Sequence, residues 1–195
     1  MTQSRRLRAV LASTAVLGLG AVATLALWSD SEVIFGEFTS AGFTVESAPA
    51  PTATFEEHDS RDGAVVLNFD LPFGGLVPGE PVEAELWFRM ATATSGEVQV
   101  LAPVVERADL NDHVDIEVST GACPVGGQEL QSGSLGELVP ATETLKLPPA
   151  DGNGPGIAQA LCIGATLRDT SDLPAGNYST GTIEWSFAVT ERVVG

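Results

Sequence analysis

Two cysteines, two histidines and a surplus of carboxylates are the side chains of this 195-residue chain with most scope for chemistry. Cys123 and Cys162 could pair as a disulfide or contribute thiolates to a metal site. A metal site would need further soft ligands, and only His58 and His113 are available. Neither histidine opens an HExxH helix, so the usual zinc-protease arrangement is missing. No serine sits in a GxSxG elbow, and no GxxxxGK[ST] phosphate loop occurs. Asp109-Leu110-Asn111 and Asp151-Gly152-Asn153 begin like EF-hand loops, but the twelfth positions fall on Thr120 and Cys162. An EF-hand is therefore excluded, and loose calcium binding by loop acids is the only cofactor reading left. Asn177-Tyr178-Ser179 matches a glycosylation sequon. These observations assign no catalytic residue and no resident cofactor, and they point away from an enzyme.

The elements that hold these residues begin with a leader. Residues 1–8 carry Arg5, Arg6 and Arg8, and residues 9–27 are small, apolar and uncharged. A basic start followed by an apolar run makes a secretory signal helix over 1–26, cut between Ala26 and Leu27 by a signal peptidase. The paired Arg5-Arg6 also suits a twin-arginine route. An uncleaved leader acting as an anchor is the alternative, and the one way this chain would meet a membrane. Removing the leader leaves six basic residues against 26 acids, a net charge of −20. That excludes nucleic acid as a partner, because phosphate contacts need clustered Lys and Arg. In an exported chain the two cysteines favour a disulfide over free thiols.

Beyond the leader the patterning is that of one all-β domain over 27–195. Residues 82–89 and 114–119 alternate apolar and polar, as a strand does when one face is buried. Residues 97–105 read as a hairpin-like return, and residues 64–70 as a buried strand. In the last segment Ile183, Trp185, Phe187 and Val189 share a face. Residues 157–167 favour strand over helix. Gly36 and Gly42 divide the N-terminal stretch into two short strands, with a Pro/Ala break over 47–53. Pro78-Gly79 signals a turn, and residues 121–155, dense in Gly, Pro and Ser, read as long loops. Trp87 and Trp185 are expected in core or cross-strand packing. The fold class is an antiparallel β-sandwich.

Several short motifs resemble the TasA/camelysin family, whose members are processed by the signal peptidase SipW. They are the Gly/Ala-rich leader ending in TLALWSD, the Phe38-Thr39-Ser40-Ala41-Gly42-Phe43-Thr44-Val45 element, and LVPGEPVEAELWFRMAT. The Gly181-Thr182-Ile183-Glu184-Trp185-Ser186-Phe187 strand is similar to one in actinobacterial-type relatives. The resemblance implies a jelly-roll-like sandwich, secreted or held at the cell surface. In TasA-like members it also implies biofilm-matrix fibres built by donor-strand exchange. Residues 27–37, with Trp28, Val33 and Phe35, would then be the mobile donor, aided by Phe38, and 38–45 the first fixed strand. Partners would be further copies or other surface and matrix proteins. The physical motive is separate, since an apolar segment at a free terminus can pair with an exposed sheet edge. Camelysin-like members are described as metalloproteases, and this sequence lacks their expected zinc motif. A monomeric binding module using the 121–155 loops is the other reading.

Overall fold

Alternation decides most of the architecture, because a strand with one apolar face must lay it against another sheet. The computed structural model describes residues 44–58, 63–67, 69, 76–124, 126–152, 154–168, 173 and 178–192, and the backbone of 32–35. Along the chain the strands are β1 (Glu32–Phe35), β2 (Val45–Ala48), β3 (Val65–Leu67), β4 (Pro81–Met90), β5 (Ser95–Val100) and β6 (Val104–Val105). They continue as β7 (Val114–Thr120), β8 (Glu129–Ser134), β9 (Leu145–Leu147), β10 (Gln159–Leu167) and β11 (Ile183–Arg192).

One sheet has the order β3-β1-β11-β5-β9, with β6 also on β11, and the other the order β2-β4-β10-β7-β8. Among the described residues every strand pairing is antiparallel except that of β1 with β11. Leu86, Phe88, Ile116, Leu161 and Ile163 of one sheet pack with Val98, Val100, Trp185 and Phe187 of the other in a single core. The fold is therefore the expected all-β sandwich. Its chain changes sheet at every connection except β5 to β6 and β7 to β8, a jelly-roll-like winding.

The alternating segments behave as read. Val82, Ala84, Leu86 and Phe88 are all buried, as are Ile183, Trp185, Phe187 and Val189. Residues 77–80 close a turn in which the Glu80 N–H donates to the Val77 carbonyl at 3.0 Å. Gly79 takes φ +80° there, a value that suits glycine after Pro78.

Four expectations need correction. The return over 97–105 is no hairpin, since β5 pairs with β11 and β9 while β4 pairs with β10 and β2. Residues 91–94 carry the chain from one sheet to the other, and alternation reports which face is buried without naming the neighbour. The 121–155 stretch supplies both β8 and β9, an edge strand of each sheet. β8 hid its period behind a register shift opposite Val118/Ser119, and β9 has only three residues. Within 64–70 the described strand is β3, and it is not buried throughout: Val66 is 46% exposed between buried Val65 and Leu67. The break placed at 47–53 begins later, because β2 runs through Ser47 and Ala48. Ser47 is further tied by a two-way backbone pairing with Glu56.

β10 explains its own ambiguity. It lies between β4 and β7, and Ala160 and Cys162 on its outer face are buried as well as Leu161 and Ile163 within. Burial on both faces erases a period of two.

Past the end of β6, the Glu106 N–H donates to the Thr182 carbonyl and the Thr182 N–H donates to the Glu106 carboxylate, each at 3.0 Å. That backbone hydrogen bond from Thr182 holds the Glu106 pKa below its ordinary 4.5. A lowered carboxylate pKa means stability that is present above pH 4.5 and lost as pH falls through the folded value. Glu106→Gln should therefore lower Tm slightly at pH 7, and scanning calorimetry should find the difference gone in strong acid.

Candidate functional site

Two places in the sandwich combine unusual placement with accessible chemistry: the slot that holds β1, and the outer face of the five-stranded sheet.

β1 lies between β3 and β11. Val33 stands opposite Glu184 of β11 and Val66 of β3, Ile34 opposite Trp185 and Val65, and Phe35 opposite Ser186. Its direction is parallel to β11, which a tight turn cannot produce. Its antiparallel partner β3 follows only after the chain has visited the other sheet to form β2. β1 thus completes its sheet without a hairpin to either neighbour. Val33 and Phe35, named as donor residues, belong to this strand. The leader, the cut between Ala26 and Leu27, and Trp28 and Phe38 lie outside the described residues, as does most of the 38–45 strand. Among the described residues no helix is long and apolar enough to cross a membrane.

The second place is a groove of about 460 Å³ running over β4, β10, β7 and β8. Its floor is set by register: Glu83 is opposite Gly164, Gly164 opposite Glu117, and Glu117 opposite Ser132. A glycine at the centre of a fully paired strand leaves a bare trough between two exposed acids. In the adjoining row Glu85 is opposite Cys162, and Cys162 is opposite Ser119.

The disulfide expected from the sequence is present. Cys123 and Cys162 are bridged with their Cα atoms 5.2 Å apart, closing a separation of 39 residues. The bridge holds the loop after β7 down on β10, so that Pro124, Gly126 and Gly127 wall one end of the groove. Glu85 secures the same loop. Its carboxylate accepts the Cys123 N–H at 3.0 Å and the Trp87 indole N–H at 2.9 Å. Trp87 therefore braces Glu85 within its own strand β4, whereas Trp185 is wholly buried in the core. The Glu83 carboxylate and the two sulfurs all lie within 4.8 Å of one another.

The other candidates are scattered. Among the described residues no trio of metal-ligating side chains includes His58 or His113. The His58 Nδ1 contacts the Gly63 carbonyl, and the His113 carbonyl accepts the Arg168 N–H at 2.7 Å. Leu110 is buried in the core and pins the turn over 109–113. Beyond that turn, Asp115 is paired with Arg168. Asn153 and Asn177 lie outside the described residues. Glu83, Glu117 and Gly164 were not singled out from the sequence. Alternation placed Glu83 outward, but only the register sets the two acids on either side of one glycine.

The glycines give a contrast that can be measured. At Gly164 an added Cβ would meet nothing nearer than the Glu117 carbonyl oxygen at 3.7 Å. Gly164→Ala should stabilise the fold by about 0.4–1 kcal/mol through the unfolded chain. At Gly156 a Cβ would fall 2.4 Å from the Pro148 carbonyl oxygen. Gly156→Ala should cost about 1–3 kcal/mol in urea unfolding.

A comparison with protein-family models finds no match, and no curated protein matches the chain.

Proposed function

We propose that this protein is a secreted structural component of the cell surface or extracellular matrix that assembles by exchanging β1 between copies. The observation that carries this reading is the placement of β1, parallel to β11 and free of any hairpin. Such a strand can leave its own slot and fill that of a neighbour without breaking a local turn. Departure would expose two unpaired strand edges, on β3 and β11, which are templates for strand addition. The opposite edge of the same sheet is poorly suited to pairing: β9 is three residues long, carries the exposed Lys146 and runs into Pro148-Pro149. The resemblance to the TasA/camelysin family supports the same reading, as does a leader whose removal would free the donor. The role is non-enzymatic.

The test is deletion of residues 27–37 from the mature protein, followed by electron microscopy. A charge of −20 per subunit opposes stacking, so the comparison belongs in high salt. The intact mature chain should form fibres and the truncated chain should not. Fibres persisting unchanged after truncation would remove the segment from the mechanism.

The groove favours a second reading, a monomeric module that binds a ligand or partner across β4, β10, β7 and β8. Size-exclusion chromatography at high concentration separates the two, since this reading requires a stable monomer.

A further inference from the structure

The disulfide differs from a purely structural bridge in its surroundings. Cys123 is half-exposed, Cys162 forms part of the groove wall, and the Glu83 carboxylate lies within 4.8 Å of both sulfurs. We propose that the reduced protein binds a thiophilic divalent cation, Zn²⁺, through Cys123, Cys162 and Glu83, with the fourth position open to the groove.

The ligand set suits that ion. Cysteine thiolates and glutamate carboxylates both ligate zinc, and three protein ligands with a fourth position open is the pattern of accessible zinc sites, with Zn–S distances of about 2.3 Å. Tetrahedral geometry then places the sulfurs about 3.8 Å apart. Rotation about the Cα–Cβ bonds can reach that separation while the Cα atoms stay 5.2 Å apart. Both ends of the site rest on structure that does not need the bridge. Cys162 lies within β10, paired on both sides, and the Cys123 N–H is held by the Glu85 carboxylate. Glu83 sits on β4, two residues before Glu85 and on the same outward face.

Charge supplies the motive. Reduction by a small dithiol breaks the protein S–S bond and forms the S–S bond of the oxidised dithiol. Two electrons and two protons pass to Cys123 and Cys162, leaving two neutral thiols. A divalent cation takes both sulfurs as thiolates, releases two protons and offsets the negative charge of the Glu83 carboxylate. With the bridge intact the sulfurs are neutral and spent as thiolate ligands, so the site exists only in the reduced protein. The inference does not rest on the proposed assembly.

The experiment reduces the full chain with a dithiol, removes the reductant under anaerobic conditions and titrates with Co²⁺ as the spectroscopic probe, followed by Zn²⁺. The expected result is one Co²⁺ per chain, with thiolate-to-cobalt charge transfer and tetrahedral visible bands that Zn²⁺ abolishes. The oxidised protein should show neither. Glu83→Gln should weaken Co²⁺ binding at least about tenfold, while Glu117→Gln, on the far side of Gly164, should leave it unchanged. Absence of the charge-transfer band from the reduced protein would overturn the proposal. So would equal affinity in the Glu83→Gln protein, which is what an unfolded chain binding through its cysteines alone would give. Circular dichroism of the reduced protein should retain the β spectrum.

Discussion

Replacing Cys123 and Cys162 together by alanine should lower the unfolding free energy by about 4 kcal/mol, one of the largest effects of any conservative change in this chain. The bridge closes a separation of 39 residues, so cutting it releases a large number of unfolded conformations. In the folded state it joins strands already in register: Cys162 lies opposite Ser119 of β7, and Cys123 follows the end of that strand. Most of the loss therefore arises in the unfolded chain and little in native packing. Urea unfolding followed by tryptophan fluorescence should show a lower midpoint and a steeper denaturant dependence, because a chain without the cross-link exposes more surface. A shift below about 1 kcal/mol would show that the bridge only decorates a loop. The dithiol-reduced wild type should match the double-alanine variant in metal-free buffer and regain stability when Zn²⁺ is added, whereas the alanine variant should not respond.

The parts of the fold that could be read in advance are those where one residue decides one face. β4, β7 and β11 each present a clean alternation, and the buried set Val82, Ala84, Leu86 and Phe88 follows from it directly. Partner choice is a different quantity. β4 and β5 are joined by residues 91–94 yet belong to different sheets, because the inward faces of both strands are satisfied equally by a hairpin or by a crossing. The edge strands β8 and β9 were hidden for opposite reasons, one by a bulge and one by brevity. β1 carried strand-forming residues, but nothing in its composition distinguishes parallel from antiparallel pairing. The groove needed the most distant information. Glu83, Gly164 and Glu117 are separated by long stretches of chain and meet only through two registers. Cys123 and Cys162 were legible as a pair because only two cysteines exist, while the nearness of Glu83 to both sulfurs was not.

Phe88→Ala and Phe187→Ala should each cost about 3–5 kcal/mol, and the two losses should not add. Phe88 belongs to β4 and Phe187 to β11, so their contact joins the two sheets across the core. Both are about 1% exposed, with ring centroids 5.2 Å apart and planes inclined at 62°. This is the edge-to-face arrangement, which contributes about 0.5–1.5 kcal/mol beyond the area buried. The double variant should therefore lose less than the two single variants together by about that amount, since the ring contact can be lost only once. Each alanine also opens a void whose cost depends on how far neighbours collapse into it, and Leu86, Trp185 and Val189 belong to the same rigid core. Phe88→Leu and Phe187→Leu keep most of the volume and should fold even where alanine does not, so the cycle can be completed with leucine. A coupling near zero in both cycles would mean that the sheets are held together by area alone, with no contribution from the geometry of this pair.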